Sequence, residues 1–575
     1  MCCNSKSVDV IESPKEGNNN QNEKNSSKNS KNSIKQKKEN ESSNGNDNDN
    51  ESKNVQTLIK PNEDNKFSQF DKKKLLLNAQ KAGEEEQYDE AIDIYNYLIN
   101  KYKKDVNSYF NLGKLYMKME QYEKAIEVFN KGIKYSKNKD ALYLNKGVCL
   151  FNLEKFQEAV DTYDEGLKID QKDHNLFLNK GVALNKLGKY EEAIESFKAG
   201  ILLTSNDPSL YNNLGVSYYR LKDYEKSIMY YDEAIKLNPN DYLQYINKGI
   251  SVKSIRKYDE ALELFNKATE LEPKNPVAYY NIAIIYKLKK DYDNSLKYFD
   301  IAISLNKKYV SAYYNKGVTL NSMGREQEAI DYFNKCLELN PNYDFAYLNK
   351  GISYDIMGKK DQALEFYDKA LELNPKFGEA YLNKGIALYN EGKFEQALEN
   401  YNKAIECNNG LAIAYNNKGV CLFSLKKYDE AIDNYNKALE IDPYYLDVYI
   451  NKGICLREMG KLKEADNQFK KALEISPNNY LVYYHLGIIY SRMDKKNWNI
   501  AMENFELSIQ YKPNYSESYF QKGLLEMKMG LYGDAIQSFL KCKQLRKKND
   551  EECEKKIKEC TVAVNKILSQ QYNKY

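Results

Sequence analysis

The side chains suited to catalysis are few and dispersed along this chain of 575 residues. The two histidines, His174 and His485, are far apart in sequence. Adjacent carboxylates such as Glu191 and Glu192 recur at positions 18 and 19 of a repeating unit, at the start of a predicted helix, where the helix dipole favours acidic residues. The sequence contains no glycine-rich phosphate loop, metalloprotease motif or nucleophile elbow. We therefore predict no catalytic residues, no cofactor and no enzyme activity.

The composition also argues against metal and nucleic-acid binding. The ten cysteines include no CxxC pair, whereas structural zinc sites usually use closely spaced thiols. The 86 basic and 83 acidic residues nearly balance, so the strong basic field of a nucleic-acid-binding surface is not expected. No apolar run is long enough for a signal-peptide core or a membrane span. These features predict a cytoplasmic protein with reduced thiols.

Residues 1–70 differ from the rest, being rich in Asn, Lys, Ser and Glu with few large apolar side chains. Such a segment buries too little apolar surface to offset chain entropy, so we predict a disordered tail. Cys2 and Cys3 follow the initiator Met, and six lysines lie between residues 24 and 38. Acylated thiols beside a basic segment would form a two-signal membrane anchor. The alternative is that the two cysteines are adjacent by chance in a low-complexity tail. We therefore expect association with a membrane only if Cys2 and Cys3 are acylated.

The polar residue with the most regular spacing is an asparagine that recurs every 34 residues. An amide both donates and accepts hydrogen bonds, so a row of amides can clamp the backbone of an extended peptide without reading its side chains. The alternative is that these amides form hydrogen bonds within the protein. The eleven candidate peptide-binding residues are Asn111, Asn145, Asn179, Asn213, Asn247, Asn281, Asn315, Asn349, Asn383, Asn417 and Asn451.

The asparagine series belongs to a sequence repeat of 34 residues, which indicates a stack of similar units. We number each repeat from the residue seven before its glycine, so that the asparagine is at position 6, and count fourteen repeats. They start at residues 72, 106, 140, 174, 208, 242, 276, 310, 344, 378, 412, 446, 480 and 516 and end at about residue 549. Helical spacing of apolar residues then predicts a capping helix over 550–571.

Two apolar stripes within each repeat predict two antiparallel helices. Positions 4, 8 and 11 fall on one helical face, and positions 17, 20, 21, 24, 27 and 28 form the second. Small residues at positions 8 and 20 let the helices approach closely, and the aromatic residue at position 24 fills the space around them. Position 15, between the helices, is glycine in several repeats, including Gly188 and Gly358, and suits a left-handed helix cap.

This pattern resembles the tetratricopeptide repeat family over residues 72–549. The resemblance rests on the small residue at position 8, Ala at 20, the aromatic residue at 24, the small residue at 27 and Pro at 32. The asparagine series is also similar to the one in the repeat array of protein O-linked N-acetylglucosamine transferase, without its catalytic domain. The resemblance implies an all-α, right-handed solenoid, with positions 2, 5, 6, 9, 12 and 13 facing a concave groove.

Two further series have open interpretations. Positions 5 and 9 are largely apolar, as in Leu348 and Ile352, and form either a ligand surface or packing between neighbouring first helices. Position 7 is Lys in nine repeats, from Lys146 to Lys522. We interpret these lysines as stems that cover the packing surface with their ammonium groups in water; the alternative is a row that binds acidic groups.

The sequence therefore predicts a scaffold that binds protein partners, as extended segments in the groove. Two other classes of function stay open. One is a structural subunit of a large assembly, such as a ciliary transport or cell-cycle complex. The other is a substrate-recruiting subunit of a separate enzyme, such as a glycosyltransferase.

Overall fold

The computed structural model describes residues 67–135, 139–546 and 550–572, and within these ranges the chain forms helices joined by short turns, with no β-strand. The predicted all-α repeat architecture is confirmed. The first helix of each repeat has an odd number and the second an even number. The helices are α1 Lys72–Glu84, α2 Tyr88–Lys101, α3 Val106–Lys118, α4 Tyr122–Tyr135, α5 Asp140–Asn152, α6 Phe156–Leu167, α7 His174–Lys186, α8 Tyr190–Leu203, α9 Pro208–Arg220, α10 Tyr224–Leu237, α11 Tyr242–Ser254, α12 Tyr258–Leu271, α13 Pro276–Leu288, α14 Tyr292–Leu305, α15 Val310–Ser322, α16 Glu326–Leu339, α17 Asp344–Ile356, α18 Lys360–Leu373, α19 Gly378–Asn390, α20 Phe394–Cys407, α21 Ala412–Ser424, α22 Tyr428–Ile441, α23 Leu446–Glu458, α24 Leu462–Ile475, α25 Tyr480–Arg492, α26 Trp498–Tyr511, α27 Ser516–Met529, α28 Tyr532–Arg546 and α29 Glu551–Tyr572.

The two helices of a repeat pack through the small residue at position 8 and the ring at position 24. In repeat 9, a Cβ atom on Gly351 would lie 2.6 Å from Cε1 of Tyr367. Tyr367 and Ala363, at position 20, are fully buried beside it. Since real side chains do not approach so closely, only glycine permits this helix spacing without a shift of the ring. The same contact joins Gly453 to Phe469 in repeat 12.

In every repeat except repeat 13, the turn between the paired helices uses a left-handed residue at position 15, whatever its side chain. Six of these residues are glycines, such as Gly358 with φ of 74° and Gly392 with φ of 77°. The others are charged residues in the same conformation, namely Glu86, Glu120, Glu154, Lys222, Arg256, Lys290 and Lys426. The common turn geometry thus holds seven residues in a region that disfavours their side chains. After Arg492, a 3₁₀ turn over Lys495–Asn497 accommodates the two extra residues of repeat 13.

The helices form two compact units, Met1–Ala312 and Tyr313–Tyr575. In the first unit, aromatic and aliphatic residues of successive repeats form the core, with Phe129, Phe197 and Phe265 fully buried. In the second unit, Phe333, Tyr367 and Phe469 take the corresponding place at position 24. No helix within the described residues combines the length and the apolar character that crossing a membrane requires.

The two ends of the described chain pack against their neighbours. Phe67 is buried, and its ring lies 5.5 Å from that of Tyr97, so the predicted tail of residues 1–70 overlaps the packed structure by four residues. The rest of the tail, including Cys2 and Cys3, lies outside the described residues. At the other end, α29 buries Cys553 and Cys560 in one cluster with Phe539.

Candidate protein-binding surface

The asparagines at position 6 lie on the first helices, but their burial differs along the chain. Six of them are buried, with Asn247 completely inaccessible to solvent. The six are Asn145, Asn213, Asn247, Asn281, Asn315 and Asn349. The remaining five are partly exposed, and a ligand can reach only these without a rearrangement. They are Asn111, Asn179, Asn383, Asn417 and Asn451.

The amides form hydrogen bonds within the array. In six of them Nδ2 donates to the backbone carbonyl four residues earlier, as from Asn383 to Glu379 at 2.8 Å. Some of the eleven amides also join neighbouring repeats. Asn451 Nδ2 donates to Oδ1 of Asn416 at 3.0 Å, and Asn349 Nδ2 donates to the hydroxyl of Tyr314 at 3.0 Å. The amides therefore contribute to the array itself, and their peptide-binding role stays a prediction.

Repeats 10 to 12 present three consecutive partly exposed asparagines beside partly exposed apolar residues. Asn383 is followed three residues later, on the same face of its helix, by Ile386. The next two repeats continue the series with the pairs Asn417 and Val420, and Asn451 and Ile454. Position 5 behaves differently, because Leu382 and its counterparts in these repeats are buried. Of the two apolar series, position 5 is therefore packing in these repeats, and position 9 remains accessible.

The asparagine series ends at His485 in repeat 13, which is buried. Its ring lies 5.5 Å from that of Phe469. Nη1 of Arg457 lies 2.8 Å from Nδ1, and since a guanidinium can only donate, the imidazole nitrogen accepts. Burial, with a smaller contribution from the Arg457 charge, lowers the pKa of His485 to about 3. The imidazole is therefore neutral at physiological pH and takes the structural place of an amide.

Models of the tetratricopeptide repeat match the chain in ten stretches. The stretches are 181–222, 208–241, 257–290, 276–309, 310–343, 345–377, 377–443, 410–478, 469–499 and 516–549. Together they cover most of residues 181–549. The chain belongs to the tetratricopeptide repeat family. Its repeats indicate protein partners and a scaffold for protein interactions, because stacked helix pairs of this kind present extended binding surfaces.

Two other comparisons gave a family model that matches a short part of the array and a solved structure with low sequence identity. A family model described as "Anaphase-promoting complex, cyclosome, subunit 3" matches residues 84–166. A solved structure titled "Crystal structure of APC/C hetero-tetramer Cut9-Hcn1" is similar, with a TM-score of 0.40 and 17% sequence identity. The match covers 80% of this chain and 98% of that chain. No curated protein matches the sequence. The family assignment therefore rests on the repeat models.

Several lysines at position 7 of the tetratricopeptide repeats reach the second helix of the preceding repeat. Lys180 contacts Asp164 at 2.6 Å, and Lys248 contacts Asp232 at 2.6 Å. Lys384 with Asp368 and Lys522 with Glu506 repeat this pairing 16 residues apart. Lys452 instead donates to the amide oxygen of Asn436 at 2.7 Å. These lysines thus join consecutive repeats, and their ammonium groups pair with acidic or amide side chains instead of lying free in water.

Cys542, Asp550 and Cys553 place possible metal-ligating atoms within 4.8 Å of one another at the end of the array. Burial raises the pKa of both thiols, which opposes the thiolate form that metals bind. Asp550 is already engaged, because it accepts from Arg546 at 2.7 Å and from the backbone N–H of Cys553 at 3.1 Å. We interpret the group as packing between α28 and α29.

The residue type at position 23, on the second helix, differs between groups of repeats. This position is not part of the two predicted apolar stripes. It is aromatic in repeats 5, 7, 8 and 9 and a buried amide in repeats 10 to 13. The aromatic residues are Tyr230, Tyr298, Tyr332 and Phe366, and the amides are Asn400, Asn434, Gln468 and Asn504. This difference could have been found from the sequence, because the residue type at position 23 changes from aromatic to amide after repeat 9.

Two clefts of the second unit lie at amide-bearing repeats. Cleft A, of about 640 Å³, lies between α18, α19 and α20 and is lined by Tyr381, Lys384, Leu388 and Asn400 among others. Cleft B, of about 380 Å³, lies between α22, α23 and α24 and is lined by Ile432, Lys452, Leu456, Glu464 and Gln468 among others. Each cleft is therefore bounded by two second helices and by the first helix between them, and its lining includes no residue of the asparagine series.

Proposed function

We propose that this protein is a non-catalytic scaffold that binds extended segments of partner proteins on the first helices of repeats 10 to 12. The observation that carries the proposal is the run of partly exposed Asn383, Asn417 and Asn451, each beside an accessible branched apolar residue. Amides spaced along a stack of helices offer hydrogen bonds to a peptide backbone, and Ile386, Val420 and Ile454 offer contact to its side chains.

The chemistry of the amides supports this role in repeat 10. The Nδ2 group of Asn383 is held by the carbonyl of Glu379, which fixes the side-chain rotamer. A fixed amide loses less conformational entropy on binding than a free one. Its carbonyl oxygen can then accept from a peptide N–H. The asparagines with complete burial, such as Asn247, support the array instead.

The test is affinity purification of the full-length protein and of the Asn383→Ala/Asn417→Ala/Asn451→Ala variant from the same cell lysate, with partners identified by mass spectrometry. The matched control replaces three exposed asparagines of second helices, Asn130, Asn266 and Asn402, by Ala. We expect specific partners to be lost from the first variant and retained by the control, with equal helix content by circular dichroism.

Retention of all partners at fixed stoichiometry by the first variant would contradict the proposal. That result would instead favour a structural subunit held through its second helices. Loss of partners from both variants alike would also contradict it, because a general effect of asparagine removal would then explain the change.

A further inference from the structure

Repeat 9 shows how the space beside position 23 is filled when that residue is aromatic. The ring of Phe366 stacks on Tyr354 at position 11, with centroids 5.3 Å apart and planes at 9°. Tyr347 at position 4 lies on the other side, at 6.4 Å and 18°. Nζ of Lys350 at position 7 lies 4.0 Å from the Phe366 ring centroid. One ring is thus enclosed by the residues at positions 4, 7 and 11.

The same arrangement of rings recurs in other repeats. Tyr298 in repeat 7 stacks on Tyr286 at 5.5 Å and 10°. Tyr230 in repeat 5 stacks on Tyr218 at 5.3 Å and 9°. In repeat 8 the ring of Tyr332 lies 4.3 Å from Nζ of the position 7 lysine, Lys316. The site formed by positions 4, 7 and 11 is therefore a recurrent aromatic-binding site, filled in these repeats by the chain itself.

Cleft A occupies this same site in repeat 10. Its lining includes the residues at positions 4, 7, 11 and 23, which are Tyr381, Lys384, Leu388 and Asn400. Asn400 is 7% exposed and is tied to the carbonyl of Gln396 at 2.8 Å. The shorter amide leaves open the space that a ring fills in repeat 9.

Cleft B repeats the arrangement in repeat 12, with Lys452, Leu456 and Gln468 at positions 7, 11 and 23. Gln468 is 8% exposed, and its Oε1 atom has no hydrogen-bond partner among the described residues. A buried acceptor without a partner is unfavourable and is satisfied when a ligand supplies a donor. This oxygen therefore points to a ligand with a hydrogen-bond donor.

We infer that clefts A and B each take an aromatic side chain, preferably tyrosine, from an extended segment of a partner protein. The inserted ring would contact Leu388 or Leu456 and lie beside the position 7 lysine, as Phe366 lies beside Lys350. In cleft B its hydroxyl would donate to Gln468 Oε1. This binding mode uses the clefts between first and second helices and goes beyond the scaffold function proposed for the asparagine-bearing surface of the first helices.

The first experiment measures binding of a defined probe to the full-length protein. The probe is an acetylated, amidated nonapeptide of Gly and Ser with one central Tyr, compared with the same peptide carrying Phe, Leu, Arg or Glu. Saturation-transfer-difference NMR suits weak ligands of a large protein. We expect transfer to the Tyr and Phe ring protons at least threefold above the transfer to the Leu, Arg and Glu side chains. Stronger binding of the Arg or Glu peptide would overturn the inference in favour of charge recognition.

The second experiment fills the clefts with the residues of repeat 9. The variant combines Leu388→Tyr, Asn400→Phe, Leu456→Tyr and Gln468→Phe. Because the Tyr354 and Phe366 pair already packs at the equivalent place, we expect unchanged helix content and at least a fivefold loss of saturation transfer to the Tyr peptide. Equal binding by the folded variant would overturn the inference.

The reverse exchange keeps the inference testable if the filled variant fails to fold. Tyr354→Leu with Phe366→Asn should open a further cleft in repeat 9 and increase saturation transfer to the Tyr peptide, whereas no increase would count against the inference. The Asn383→Ala/Asn417→Ala/Asn451→Ala variant should bind the Tyr peptide like the unaltered protein. Failure of the aromatic site is thereby distinguished from failure of the first-helix surface.

Discussion

Repeats 9 and 12 each consist of two antiparallel helices packed in the same way, and they differ in the side chains at positions 11 and 23. In repeat 9, Tyr354 and Phe366 stack and fill the space, whereas in repeat 12 Leu456 and Gln468 leave cleft B. The contacts that hold the two helices together are alike, since each repeat has a glycine at position 8 against a buried ring at position 24. The comparison separates residues that maintain the repeat from residues free to vary with function.

The largest expected effect tests the shared part of the two repeats. Tyr367→Ala in repeat 9 and Phe469→Ala in repeat 12 should each lower the free energy of unfolding by about 3–5 kcal/mol, because each removes a fully buried ring. Urea unfolding followed by circular dichroism measures the change. A large loss in one repeat with little loss in the other would show that the helix pairs are not held alike.

A pH titration tests a second buried polar residue close to repeat 12, His485 of repeat 13, in addition to Gln468. The folded pKa of about 3 lies below the ordinary value of 6.5, so protons bind preferentially to the unfolded chain. Stability from this residue is therefore fully present above pH 6.5 and is lost as pH falls toward 3. Between pH 7 and 5 the loss should be about 2 kcal/mol.

The control for the titration is His485→Asn, which restores the residue found at position 6 in eleven other repeats. The variant should lose less stability than the unaltered protein over the same pH range in urea unfolding. An equal loss would assign the pH dependence to other groups and would contradict the lowered pKa of the buried imidazole.

Exchanging the pairs at positions 11 and 23 should change stability less than removing the fully buried ring at position 24. Tyr354→Leu with Phe366→Asn removes one stacked ring pair, which is worth about 0.5–1.5 kcal/mol beyond the area buried. The opposite exchange in repeat 12, Leu456→Tyr with Gln468→Phe, should raise the urea midpoint by filling cleft B and removing the unpartnered Gln468 oxygen. A fall in the midpoint would show that the two repeats differ in backbone geometry as well as in side chains.

The repeat architecture could be predicted from the sequence because its determinants are local and recur fourteen times. The contact between Gly351 and Tyr367 follows from a small and a large residue at helical spacing. The burial of individual groove residues could not be predicted in this way. Asn247 and Asn451 have the same position and residue type, yet only Asn451 is partly exposed. Their exposure depends on how neighbouring repeats pack, which one repeat does not encode.

Position 15 gives the smallest expected effect and the finest test of which residues maintain the repeat. Lys426 in repeat 11 has φ of 61°, whereas Gly392 in repeat 10 has φ of 77° at the same place. A left-handed conformation costs a residue with a Cβ atom about 1–2 kcal/mol in a helix, and the greater freedom of glycine when unfolded offsets part of that cost. Lys426→Gly should therefore stabilise the protein by roughly 0.5–1 kcal/mol, and Gly392→Ala should destabilise it by about 1 kcal/mol. The urea midpoints of the two variants measure both changes. A loss of stability in Lys426→Gly would mean that contacts of the lysine side chain, rather than the left-handed turn geometry, determine which residue is favoured at position 15.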